Sequence, residues 1–133
     1  EFRDPQLVDP LVARLLMDAG AVPCLAVHAR MPPVAEQAAA FMVDRADCTL
    51  PLVVRWNLHA GRQYEEARSD YFPFDRLVEE DVATRQPLGR LARAAAAAGR
   101  DVFITINNKA EGSAPCSVAA LAEVIAAPPS DGG

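Results

Sequence analysis

A polar stretch that could bind a ligand, N-N-K-A-E-G-S-A-P, occupies residues 107 to 115 directly after the apolar run V-F-I-T-I. Gly112 and Ser113 precede a predicted helix, and the free N–H groups at the start of a helix attract anions. Lys109 would add a point charge, and Arg55 offers the forked donor geometry that suits phosphate or carboxylate. These residue types predict a small anion site. The alternative is that a serine caps the helix, Gly112 permits a turn and Lys109 is solvated.

Two residues could move a proton. Glu1 and Arg3 share a face of an extended segment, so Glu1 could act as a general base held by Arg3, or the two could form a structural ion pair. His59 could titrate near neutral pH, or it could be a packed, hydrogen-bonding residue beside an aromatic side chain. We predict no metal, because the sequence has no H-x-x-x-H motif and no clustered carboxylates.

The paired asparagines Asn107 and Asn108 cannot both face the same side of a strand. We assign Asn107 to the ligand side, because Thr105, two residues earlier, is the polar residue of its strand. Asn108 would then brace the following loop. Alternatively, both side chains satisfy backbone groups at the end of the strand.

The surrounding pattern predicts an α/β fold in which helices alternate with short apolar strands. Predicted strands cover residues 21–27, 50–55 and 102–106. Predicted helices cover residues 5–16, 34–43, 85–98 and 118–125, with a further helix possible over 63–70. Strands that are apolar throughout indicate a parallel sheet covered on both faces, with helical crossovers. In such folds, functional residues gather at the carboxyl ends of the strands.

Composition limits the function classes. The chain has 133 residues, which suits one domain, and its net charge of −5 argues against nonspecific coating of nucleic acid without excluding a local basic site. Three cysteines without C-x-x-C spacing are typical of a reducing compartment, so we expect a cytoplasmic protein. No run of about 20 apolar residues is present, so we expect no membrane association.

Three motifs together resemble the YecE-like family, a domain of unknown function with a TIM-barrel fold: V-V-R-W-N-L-H-A-G-R-Q-Y, Y-F-P-F-D-R-L-V and I-N-N-K-A-E-G-S-A-P-C-S. The opening E-F-R-D-P resembles a strand end near the middle of that barrel. The resemblance implies parallel (β/α) units that form the carboxyl-terminal half of a TIM barrel over residues 1–126, followed by a flexible tail over 127–133. Since family members are much longer and this sequence lacks an initiating methionine, we expect a fragment whose other half is missing. The alternative is a genuine half barrel that self-associates.

The resemblance also extends the candidate site. At the strand ends it implicates Glu1, Arg3, Arg55, Asn57, His59, Asn107, Asn108 and Lys109, and in the following loops Tyr64, Glu111, Gly112 and Ser113. In the enzyme hypothesis, Arg55 and Lys109 hold a small phosphorylated or carboxylated ligand, Asn57 and Asn107 orient it, and Glu1 or His59 moves a proton. Neither a reaction nor a cofactor follows from the resemblance. The alternatives are a noncatalytic binding or regulatory module, and a metal-independent relative of barrel nucleases or isomerases that acts on nucleic acid or sugars.

Overall fold

A computed structural model of the chain describes residues 1–128, which form a mixed α/β fold. The strands are β1 (Cys24–Val27), β2 (Leu52–Trp56) and β3 (Val102–Ile106). The helices are α1 (Pro10–Asp18), α2 (Val34–Ala40), α3 (Tyr64–Tyr71), α4 (Val82–Ala97) and α5 (Ala114–Ala126), preceded by a 3-10 turn at Pro5–Leu7. The predicted flexible tail lies outside the described residues, apart from Ala127 and Pro128.

The three strands form one parallel sheet in the order β1-β2-β3, which confirms the predicted strand direction. Helices connect each strand to the next, as parallel neighbours require. The register places Ala26, Arg55 and Thr105 side by side across the sheet. This register fixes which polar side chains can meet beyond the strand ends.

Helices cover one face of the sheet, and the other face is open. On β2, Leu52, Val54 and Trp56 are buried in the main core, whereas Arg55 between them is exposed. On the open face of β3, Phe103 is 58% exposed. The prediction of strands covered on both faces was therefore wrong for β2 and β3, whereas Ala26 of β1, on the same face of the sheet as Arg55, is fully buried.

Local sequence signals explain where the helices begin and end. Asp9 and Asp81 cap α1 and α4, because their side chains accept hydrogen bonds from backbone N–H groups of the first turn. Gly99 follows α4 with a positive φ of 74°, a conformation that favours glycine. The predicted first helix is interrupted, since the 3-10 turn ends before Asp9 starts α1. Within residues 1–128 no helix is both long and apolar enough to cross a membrane.

The two outer edges of the sheet differ. At β1, the buried side chain of Gln37 accepts a hydrogen bond from the N–H of Ala26 at 2.9 Å and donates one to its C=O at 2.8 Å. Residues 1–3 form no strand, so the expectation that E-F-R is a strand end is not confirmed. Phe2 instead packs against Phe41, with ring centroids 6.3 Å apart. The outer edge of β3 has no neighbouring strand among the described residues.

Candidate functional site

Backbone hydrogen bonds tie the carboxyl ends of the three strands together. The N–H of Asn57 donates to the C=O of Val27 at 3.1 Å, and the N–H of Asn107 donates to the C=O of Trp56 at 2.9 Å. Because Trp56 pairs with Ile106, Asn57 and Asn107 continue the register as neighbours. The predicted gathering of polar residues at this end of the sheet is therefore present for β2 and β3.

The carboxylate of Glu1 receives three side-chain hydrogen bonds at this end. Its Oε1 accepts from Arg3 Nε at 3.2 Å and from Asn57 Nδ2 at 3.1 Å, and its Oε2 accepts from Arg55 Nη1 at 2.5 Å. The side chain of Glu1 is 11% exposed, compared with 57% for Arg3 and 48% for Arg55. We call Arg3, Arg55 and Asn57 the donor cluster. It is a preassembled site for a carboxylate, which Glu1 fills.

This environment makes Glu1 a weak base. Partial burial raises the pKa of its carboxyl group, but the hydrogen bonds and charges of Arg3 and Arg55 outweigh burial, so the pKa lies below its ordinary value. A general base works best with a pKa near the operating pH. The geometry therefore favours the ion-pair alternative for Glu1 and Arg3 over proton abstraction.

Lys109 lies beside an aromatic ring at the rim of the same end. Its ammonium nitrogen is 4.5 Å from the ring centroid of Tyr64, within the range of a cation–π contact. Tyr64 is the first residue of α3 and is 49% exposed. The two predicted ligand residues thus form a pair, with a positive charge held over a ring that a ligand could also contact.

Both asparagine side chains accept a hydrogen bond from a backbone N–H, which is the alternative that the sequence left open. The Oδ1 of Asn108 accepts a hydrogen bond from the N–H of Ala114 at 2.8 Å, so Asn108 braces the loop between β3 and α5. The Oδ1 of Asn107 accepts from the N–H of Lys109 at 2.9 Å, and Asn107 is exposed. Asn107 therefore fixes the backbone of Lys109 while its own side chain remains at the surface.

His59 belongs to a different cluster. Its Nδ1 donates to the C=O of Ala60 at 2.9 Å, and its Nε2 lies 3.8 Å from Oε1 of Glu79. The same Glu79 accepts hydrogen bonds from Arg62 and, at 2.9 Å, from the hydroxyl of Tyr71. The contacts of His59 thus link the loop after β2 to the loop before α4. Glu1 is bonded to a different set of residues, so the two predicted proton-moving groups do not share a cluster. Within the described residues, no group of three or more His, Cys, Asp or Glu side chains could hold a metal ion.

Glu111, Gly112 and Ser113 are buried, which removes them from the ligand-binding set. The N–H of Gly112 donates to the C=O of Asn108 at 2.9 Å, and Ser113 is only 3% exposed. Helix α5 begins with Ala114 and Pro115, and proline lacks the N–H that an anion would need. The predicted anion site at this helix start is therefore not supported, and neither is capping by the Ser113 side chain.

Glu111 instead organises a buried polar cluster with Asp81 and Arg85. Its Oε1 accepts from the backbone N–H of Asp81 at 2.8 Å and from the guanidinium of Arg85. Its backbone C=O accepts from Val78 at 2.8 Å and Glu79 at 3.1 Å. The predictions from sequence missed Asp81 and Arg85. The spacing D-V-A-T, which marks Asp81 as a helix cap, was the available signal.

Comparison of the chain with protein-family models, with curated proteins and with solved structures gives no match, so the chemistry of this site is argued from its geometry.

Proposed function

We propose that this chain binds a small anionic ligand, carboxylated or phosphorylated, at the carboxyl ends of β2 and β3. One observation carries the proposal: three side-chain donors from two separate parts of the chain converge on a single carboxylate, that of Glu1. Guanidinium and amide groups in this arrangement match the oxygens of carboxylate and phosphate equally well. The donor cluster would recognise the same chemistry in a ligand.

The arginines have capacity beyond Glu1. In the hydrogen bonds found within residues 1–128, Arg3 uses only Nε and Arg55 only Nη1. Each guanidinium carries five N–H donors, and both side chains are about half exposed. A ligand anion could therefore join Glu1 on the open side or take its place.

Lys109, Tyr64 and Asn107 would form the second wall of the site. Asn107 lies beside Asn57 in the register, and it anchors the backbone of Lys109. The ammonium group over Tyr64 adds a second positive charge, and the ring offers an apolar surface for the uncharged part of a ligand. A ligand with an anionic group and a flat or sugar-like body suits these walls.

The role proposed for Glu1 is to position the two arginines. The carboxylate is charged at neutral pH, and its lowered pKa extends the charged form to more acidic pH, so the two guanidiniums stay paired with it when no ligand is bound. We therefore favour binding over acid–base catalysis by Glu1. His59, whose contacts are with Ala60 and Glu79, would act on the ligand only through the loops that it joins.

We also propose that the parallel units form part of a TIM barrel of the YecE-like kind. The parallel strand order, the helical connections and the position of the polar residues beyond the strand ends support this assignment. Any further strand beside β1 would have to displace the Gln37 side chain from Ala26. That requirement is a specific structural test of the barrel assignment.

Thermal unfolding with added ligands tests the binding function, because a ligand that binds only the native state raises the melting temperature. We would screen inorganic phosphate, a sugar phosphate and a dicarboxylate, and then measure affinities by calorimetry. Arg55→Met should abolish any ligand-induced rise. Arg45→Met is the matched control, since Arg45 is also an exposed arginine paired with a carboxylate, that of Asp47. No rise with any ligand, or an equal rise in both variants, would contradict the proposal.

Glu1→Gln gives an independent measurement. The amide keeps the shape of Glu1 but removes the negative charge that competes for Arg55. Because the proposed role of Glu1 is to hold Arg3 and Arg55 in place, ligand affinity should decrease in this variant. An increase in affinity would contradict that role and show that the ligand replaces the Glu1 carboxylate.

A further inference from the structure

The hydrogen bonds between β2 and β3 show which backbone groups of β3 point to its outer edge. The N–H of Asn107 donates to Trp56, and the C=O of Asp101 accepts from Leu52, so the odd-numbered residues of β3 bond to β2. Backbone groups of alternate residues point to opposite edges of a strand. The N–H and C=O groups of Val102, Ile104 and Ile106 therefore point away from the sheet.

Among residues 1–128, nothing provides the features that keep this edge from pairing. Natural edge strands are protected by proline, charged side chains, bulges or a covering segment. The sequence V-F-I-T-I contains no proline and no charge, and β3 pairs with β2 through all five residues without a bulge. At the opposite edge, Gln37 binds both backbone groups of Ala26. The sheet thus has one protected edge and one unprotected edge.

Apolar side chains flank the unprotected edge on both faces. On the helix side, an open groove of about 260 Å³ runs between β3 and α5, lined by residues that include Ile104, Ile106, Leu121 and Ile125. On the open side, Phe103 is 58% exposed. An added strand would therefore bury apolar surface on both faces as well as satisfy the backbone.

We propose that β3 of the 133-residue chain pairs, antiparallel, with β3 of a second copy about a two-fold axis at Ile104, at the edge that a neighbouring strand would occupy in a complete barrel. In this register Val102 lies opposite the partner's Ile106, and Ile104 lies opposite the partner's Ile104. The helix side of the joint sheet is then apolar throughout. On the open side, Phe103 lies opposite the partner's Thr105.

The hydrogen-bonding groups of this edge match themselves in that register. In an antiparallel pair, residues that exchange two hydrogen bonds lie directly opposite one another. The three residues whose backbone groups point outward, Val102, Ile104 and Ile106, are symmetric about the central one, so all of them would be bonded. At each end Asp101 lies opposite the partner's Asn107, which places an amide donor against a carboxylate. No like charges meet directly.

The two-fold arrangement also ends the assembly at two copies. Pairing consumes the unprotected edge of both chains, and the outer edges of the joint sheet are then the β1 edges protected by Gln37. Two-fold interfaces of this kind are closed, whereas head-to-tail contacts extend into filaments. The assembly should therefore be a dimer with a six-stranded sheet.

Sedimentation velocity of the 133-residue chain over a dilution series tests the dimer. We expect a monomer–dimer equilibrium, and Phe103→Lys should raise the dissociation constant by at least about tenfold, because lysine at an edge opposes pairing. Leu11→Lys is the control, since Leu11 is an equally exposed apolar residue, at 65%, on α1. It should leave the dissociation constant unchanged. Circular dichroism would establish that both variants remain folded.

Residue-resolved amide exchange by NMR tests the register. The amides of Ile104 and Ile106 should become protected as the concentration rises through the dissociation constant, whereas those of Phe103 and Thr105 should be protected at every concentration. A chain that stays monomeric would overturn the proposal, as would a dimer whose Ile104 amide exchanges at the monomer rate. Equal effects of the two lysine variants would also overturn it. Monomeric behaviour would leave the edge to a strand from elsewhere, such as a parallel barrel strand.

Discussion

Gln37 binds both outward backbone groups of Ala26, so a side-chain amide takes the place of a strand at the β1 edge. Both residues are fully buried, and the same amide also donates to the C=O of Pro32 at 2.7 Å. A single side chain therefore satisfies three backbone groups that would otherwise be without partners.

Replacing this amide should destabilise the fold. Gln37→Met keeps the length of the side chain but leaves the N–H of Ala26 buried without a partner, at a cost of about 3 kcal/mol in the free energy of unfolding. Urea denaturation measures the change. Gln86→Met on the exposed face of α4 is the control and should have little effect. Equal stability of the two variants would show that Ala26 finds another partner.

The second prediction concerns the buried polar cluster of Glu111, Asp81 and Arg85. Glu111→Gln should lower the free energy of unfolding by about 2 kcal/mol, because it removes the buried carboxylate partner of Arg85 and leaves only the exposed Glu80 to pair with it. Arg85→Met should have a similar effect, and the double variant should cost less than the sum of the two. Urea denaturation of all three variants measures this coupling. Glu65→Gln, which breaks the exposed pair with Arg68, should change stability very little. Strict additivity of the first two changes would contradict the pairing.

Gly112 should be intolerant of a side chain. Its φ is 124°, and a Cβ atom built there would lie 2.5 Å from the C=O oxygen of Arg76 and 2.7 Å from the N of Val78. Gly112→Ala should therefore cost about 3 kcal/mol, from strain and from a contact that only backbone movement can relieve. Gly61→Ala separates the two effects, because Gly61 also has a positive φ but open space around it. That variant should cost only about 1 kcal/mol in thermal or urea unfolding.

Glu79 makes part of the stability depend on pH. Hydrogen bonds from Arg62 lower the pKa of the Glu79 carboxyl group, and burial raises it. The hydroxyl of Tyr71 and the nearby His59 also lower it, so the pKa in the folded protein lies below the ordinary value of 4.5. A folded pKa below the unfolded one stabilises the protein above the unfolded value, and this contribution is lost as the pH falls through the folded pKa. Glu79→Gln should therefore be less stable than the parent near neutral pH, and the difference should shrink in acid.

Unfolding free energies at about pH 6.5 and about pH 3.5 would measure that difference. Glu66→Gln, on the exposed surface of α3, is the control. Its difference from the parent should be small at both pH values. A Glu79→Gln gap that stays constant would mean that the carboxylate makes no pH-dependent contribution.

Local sequence patterns were enough to predict the elements. The strand over residues 102–106 is found as predicted, because an apolar run between Asp101 and Asn107 has clear boundaries. Helix α5 begins at Ala114, earlier than the apolar pattern over 118–125 indicated but directly after Gly112 and Ser113, which were predicted to precede a helix start. The strand–helix alternation likewise indicated the parallel sheet correctly.

Long-range contacts account for what the sequence did not reveal. An apolar strand has the same sequence pattern whether one face or both faces are covered, so the pattern of β3 by itself did not reveal the exposure of Phe103. Glu111 looked like a loop residue, and its burial depends on Arg85, which is 26 positions away. The family resemblance implicated Arg55 and Asn57, but their convergence on Glu1 required the fold.

The close contact between Gly112 and residues 76–78 also determines where a tag or domain could be inserted into the chain. The long connection between β2 and α4 looks like a place for an inserted tag or domain, yet its second half is bonded to Glu111 and packed on Gly112. Insertions there would separate two loops that form one unit. The exposed residues 44–47, between α2 and β2, are the better site for a fluorescent label or a fused domain.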